Sequence, residues 1–258
     1  MEDLRTPSNP YQVNVPLDHS GRNPQSVDSL TRKLRLALQI FIGIVVLYAF
    51  QLALYALVIG RLQDGQNTLL DSRQAEAEFQ DLISAVAGIL YFLSFITCCI
   101  ISIFWIIRAH KRVRQVVEAP LPISPHWAVI WFIVPIFSLW KPFAAMKQLW
   151  QASENPKSWT SVQPPGILSL WWFLYIVSNV LGSITYRLGA KASTLEELYR
   201  LGIVELIFVP VDIILPIVYL KIVTRIADMQ AKWDVLGNGP GEMDPIDLSV
   251  GSDNAKLN

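Results

Sequence analysis

Charge is scarce in this sequence: Asp, Glu, Lys and Arg make up only 16% of its 258 residues, and the two signs cancel to a formal net charge of zero. A neutral total offers a polyanion no reason to bind, so nucleic acid is not expected as a partner. Cysteine and histidine are equally sparse. Cys98 and Cys99 are neighbours inside an apolar run, where a bridge between them would be strained and no polar ligand set for a metal surrounds them. His19, His110 and His126 follow no metal or catalytic spacing. A Gly-rich phosphate loop, a nucleophile elbow and a His-Glu pair at metal spacing are all missing. No enzyme activity and no cofactor are therefore expected.

What the chain does have is apolar sequence in long blocks, within a total that is 52% hydrophobic. Crossing a bilayer takes about 20 apolar residues. Four blocks reach that length, at about residues 34–59, 82–107, 166–188 and 201–221. The expected fold is therefore an all-α integral membrane helical bundle of four transmembrane helices, plus a re-entrant or interfacial helical segment at 126–153. Residues 1–29 carry Pro7, Pro10, Pro16 and Pro24 among polar residues and read as a disordered cytoplasmic tail. Residues 30–233 form the membrane domain, and 234–258 a second disordered tail. The first apolar block lacks a small-residue cleavage motif after it and is expected to remain as an anchor.

Between the spans, Asp64-Gly65 signals a turn, Gln74 to Gln80 suits a short helix, and Ser193 or Thr194 could cap a small helix containing Glu196 and Glu197. The basic residues decide orientation. With both termini cytoplasmic, thirteen Lys and Arg residues flank the spans on the inside and five on the outside. Arg108, Lys111, Arg112 and Arg114 abut the second span; they read as a topology determinant, with anionic lipid contact as the other reading.

Seven of the nine tryptophans fall between Trp127 and Trp172. Trp suits the boundary between lipid and water. Trp127 to Trp140 is short for a crossing and is interrupted by Pro135, then closed by Lys141-Pro142; Trp127 to Met146 as a fifth crossing is the alternative. A fifth crossing there would put Lys141 inside the bilayer, at a cost. After Pro142, Phe143, Met146, Leu149 and Trp150 share one helical face, and Lys147, Gln148 and Gln151 share the other. That pattern predicts a helix lying on the membrane surface.

The residues WFIVPIFSLWKPFAAMKQLWQAS, from Trp131 to Ser153, resemble the signature of a bacterial membrane family known as domain of unknown function 4328. Trp131, Pro135, Trp140, Pro142 and Trp150 carry the resemblance, together with Met146, Ala152-Ser153, the later Trp171-Trp172 and the terminal IVTRIADMQ. It covers about residues 35 to 232. The family pattern often has an asparagine ahead of the Leu-Trp pair, where this chain has Ser138. The resemblance implies a multi-pass protein of the bacterial inner membrane, and it implies no activity and no catalytic residue.

Asp212 is the sharpest functional candidate, near the middle of the fourth span between Pro210 and Pro216. Glu205 lies seven residues earlier on the same face, and Asn179 and Gln51 are polar neighbours for them on other spans. Intramembrane carboxylates of this kind are protonated or paired. One reading makes the four residues part of an ion or proton path in a small oligomeric transporter or channel subunit. The other makes Asp212 a helix-to-helix hydrogen-bonding residue in a non-enzymatic interaction or regulatory protein. An unknown membrane partner or a second copy of the chain is expected besides the lipid bilayer.

Overall fold

A computed structural model describes residues 25–63, 70–117, 119–134 and 136–235. Most of both expected tails, the Asp64-Gly65 turn and Pro135 lie outside the described residues. Four long helices dominate: α1 (Gln25–Gln63), α2 (Leu70–Val116), α5 (Gly166–Gly189) and α6 (Leu195–Val235). All four contain a stretch long and apolar enough to cross a membrane. Between α2 and α5 lie the one-turn α3 (Trp127–Ile130), a 3-10 turn at Phe137–Leu139, α4 (Lys141–Glu154) and a second 3-10 turn at Trp159–Ser161. There is no strand among the described residues.

The long helices extend beyond the apolar blocks that announce them. The Gln74 to Gln80 stretch is not a separate short helix, because α2 already begins at Leu70. The Ser193-Thr194 cap is present, yet it opens the 41-residue α6 rather than a small helix. There the Glu197 carboxylate accepts from the Ser193 and Thr194 N–H groups at 2.8 and 3.1 Å, and Thr194 Oγ1 accepts from the Glu197 N–H. This reciprocal capping satisfies donors that the first helical turn cannot satisfy itself. The turn between α5 and α6 is close: a Cβ on Gly189 would stand 3.4 Å from Leu201 Cδ2.

Packing is uneven along the bundle. α1 packs along both α2 and α6, and α5 packs along α6. The fully buried residues collect at one end, where α1 starts and α2 and α6 finish. Leu34, Trp105, Val113, Met146, Leu149, Ile222 and Ile226 meet there around α4. Towards the other end the helices present large apolar side chains outward, among them Leu57 at 61% exposure and Phe79 at 62%. Hydrocarbon is the natural solvent for such faces.

α4 is where the structure departs most from expectation. Its polar face is turned inward, not towards water: Gln148 and Gln151 are buried along with Met146 and Leu149. Gln148 accepts from the Ile123 N–H at 3.1 Å and donates to the Ile123 carbonyl at 3.2 Å, and Gln151 donates to the Val162 carbonyl. Loops that flank α4 thereby have backbone groups satisfied by buried side chains. The buried His110 of α2 sets its two ring nitrogens 2.9 and 3.3 Å from the carbonyls of Ile106 and Ala145. Pro142 sits in the first turn, where its missing N–H costs nothing.

The segment before α4 returns to the end of the bundle where it starts, since α3 and α4 both pack on α2 and on each other. Its helical pieces are four and three residues long. Phe132 packs edge-on against Tyr175 of α5, ring centroids 6.0 Å apart, and Ser138 and Leu139 share a cavity wall with α5. Tyr175 is roughly 14 Å along α5 from its start, at 1.5 Å per residue. Ile133 and Ile136 project outward at 76% and 68% exposure.

Candidate functional site: an intramembrane carboxylate cluster

Asp212 and Glu205 share a face of α6 because seven residues are close to two helical turns. Both are half-buried. Ser178 Oγ of α5 donates to Asp212 Oδ1 at 3.4 Å, a long bond. α6 continues through Pro210 and Pro216. A proline at 216 has no N–H to give the Asp212 carbonyl four residues back, so Asp212 offers a main-chain acceptor as well as its carboxyl group.

Two tyrosines complete the cluster. Tyr48 of α1 and Tyr91 of α2 have ring centroids 5.2 Å apart, and both are within electrostatic reach of Glu205 and Asp212. Four helices thus contribute to one polar region inside the apolar part of the bundle. Among the described residues neither carboxylate is in a salt bridge, and no group of three or more His, Cys, Asp or Glu side chains could hold a metal ion.

The four residues singled out in the sequence do not all meet. Asp212 and Glu205 come together. Gln51 instead donates to Ser84 Oγ at 2.6 Å, tying α1 to α2. Asn179 donates to the Tyr175 carbonyl of its own helix at 2.7 Å and lies exposed on a different face of α5 from Ser178. Tyr91 was not legible as a site residue, since a single tyrosine in an apolar span carries no pattern of its own. Tyr48 shares a helical face with Gln51 and Tyr55 by spacing, which by itself does not tie it to the carboxylates.

The signature residues have separate places. Lys141 Nζ lies 4.7 Å from the centroid of the Trp131 ring, within cation–π range. Trp140 is exposed, edge-on to Phe137 at 5.8 Å. Pro142 and Trp150 are buried, and Trp150 Nε1 donates to Glu154 Oε2 at 2.9 Å. Of the basic cluster, Arg108 and Lys111 are exposed. Arg112 donates to the Gln230 carbonyl at 3.3 Å, and Arg114 to the Leu121 and Ile123 carbonyls at 2.8 and 2.9 Å. Those two guanidiniums serve the fold. Arg35 likewise bridges α1 to Asp228 of α6 at 3.1 Å.

A cavity of about 340 Å³ lies along α5, lined by Tyr175, Asn179, Ser183, Arg187 and, from the returning segment, Ser138 and Leu139. Neither Asp212 nor Glu205 lines it.

Four helices able to span a membrane, a polar cluster between them and a hairpin that turns back define a multi-pass membrane protein. The chain belongs to the family described as Domain of unknown function (DUF4328), whose model matches residues 68–228. The match takes in α2, the whole Trp131 to Ser153 signature, α5 and most of α6. It begins later than the resemblance implied and leaves α1 outside. No curated protein and no solved structure matches the chain.

Proposed function

We propose that this is a non-enzymatic interaction or regulatory protein of the bacterial inner membrane, with both termini cytoplasmic, that pairs with another membrane component through its intramembrane carboxylates. The observation that carries the reading is the poor satisfaction of Asp212, which among the described residues receives one 3.4 Å bond and remains half-buried. Polar groups in hydrocarbon are costly unless they are paired. A donor on a partner helix, or on a second copy of the chain, would offset that cost. The tightly packed end around α4 suits this role, because it holds the helix ends rigidly while the other half stays loosely packed.

A second reading, a small oligomeric transporter or channel subunit, draws on the juxtaposition of Tyr48, Tyr91, Ser178 and the two carboxylates. Those groups can pass a proton among themselves once water reaches them.

Photo-crosslinking from position 91 in native membranes, together with proton flux in proteoliposomes, tests the two readings. The interaction reading expects a discrete protein adduct that Asp212→Ala removes, and no flux. The transport reading expects flux that Asp212→Asn abolishes. Adducts to lipid alone with no flux would contradict both.

A further inference from the structure

We propose that the groove along α5 is a binding site for one anionic phospholipid of the leaflet at the Gly189 end of the helix, with Arg187 holding the phosphate. Asn179, Ser183 and Arg187 recur every four residues and therefore line one face. Ile176, Val180, Ile184 and Leu139 supply apolar wall between them. Asn179 and Ser183 turn their donors onto their own helix, to the Tyr175 and Asn179 carbonyls at 2.7 and 2.8 Å. The wall beside an acyl chain thus keeps few unsatisfied donors.

Length and charge both select a lipid. From Tyr175 to Arg187 the groove runs about 18 Å along the helix. One leaflet contributes about 15 Å of hydrocarbon, so the groove matches a single leaflet with a basic residue at headgroup level. Ser138 and Leu139, from the segment before α4, line the groove together with α5. Arg187 is exposed and, among the described residues, is the only charged one lining the groove. A guanidinium matches phosphate oxygens through paired N–H groups.

A second copy fits this face poorly. Two chains in one bilayer related by a two-fold axis along the membrane normal bring equal depths together, so Arg187 would face Arg187 with no acidic residue among the described lining of the groove to separate them.

Native mass spectrometry of the full-length protein in detergent, with phosphatidylglycerol and phosphatidylcholine of identical chains, provides the test. Retention of phosphatidylglycerol should exceed that of phosphatidylcholine by roughly fivefold to tenfold, the effect of about one charge-assisted contact. Arg187→Gln should remove the preference and Arg187→Lys should keep most of it, which also shows that the site still folds. Val180→Trp, which fills the groove, should lower retention of both lipids. Equal retention by the native protein would overturn the proposal. So would a preference that survives Arg187→Gln and disappears with Arg108→Gln and Lys111→Gln, because that places the lipid at the opposite end. A crosslink from position 183 to another protein instead of to lipid would also overturn it.

Discussion

Gln230 of α6 donates from Nε2 to Ser153 Oγ, at the end of α4, over 2.9 Å, and both residues are buried. This bond ties the last part of α6 to the signature helix, next to the Gln230 carbonyl that Arg112 holds. Gln230→Ala leaves Ser153 unpaired in a site without water and should destabilise the protein by about 1–3 kcal/mol. Thermal unfolding in detergent reads this directly. Ser153→Ala should cost less, and the double variant should be less destabilised than the two single effects added.

Gln148 should prove more sensitive to charge than to shape. It both accepts from and donates to the Ile123 backbone, so Gln148→Glu keeps the volume while replacing a donor by an acceptor beside a carbonyl. A loss of about 2–4 kcal/mol is expected, because a charge is also being buried. An unfolding temperature equal to that of the native protein would show that the loop at Ile123 is not held by α4.

Trp105 is almost completely buried, and its Nε1 donates to Thr31 Oγ1 at 3.1 Å. Trp105→Ala opens a large cavity at the packed end and should cost about 3–5 kcal/mol. The equally drastic Phe79→Ala, at the opposite end of the bundle, should be nearly neutral, since that ring faces outward at 62% exposure. Comparing the two in the same unfolding assay tests whether stability is concentrated at the α4 end.

Asp212→Asn keeps the Ser178 bond and removes an ionisable group from the apolar region. Stability should stay equal to that of the native protein or rise, while the partner-dependent crosslink from position 91 weakens. A large loss of stability would instead mean that Asp212 is a structural residue of the bundle.

Glu197 lies in the first turn of α6, ahead of the apolar span, and the Ser193 and Thr194 N–H groups hold its carboxyl group below the usual carboxylate range. A depressed folded value means that the cap's contribution is complete above the unfolded pKa and is lost as pH falls through the folded one. Amide exchange at 193–198 should therefore be slow near neutral pH and accelerate in acid beyond the intrinsic pH trend. Glu197→Gln should remove that acid-induced change.

The four spans were legible because apolar length alone distinguishes a crossing helix. Pro142 and the Thr194 cap were legible for a similar reason, since each satisfies a local rule of helix starts. The inward polar face of α4 was not. Gln148 and Gln151 recur at the same spacing whether they face water or a neighbouring backbone, and only the positions of Ile123 and Val162 decide between the two. Within the candidate site, Asp212 and Glu205 shared a face by spacing, whereas their neighbours depend on how helices rotate against one another. That rotation placed Ser178 at Asp212 and turned Asn179, the next residue, towards the α5 groove.

The central claim is that Trp127 to Trp140 enters the bilayer and returns to the side it came from. Single cysteines introduced at Gln115, Lys157 and Ala190, in a chain with Cys98 and Cys99 replaced by serine, can be labelled with a membrane-impermeant reagent in intact cells. The account predicts that Ala190 labels while Gln115 and Lys157 stay protected until the membrane is opened. Labelling of Lys157 in intact cells, with Gln115 still protected, would contradict it by showing that the segment crosses.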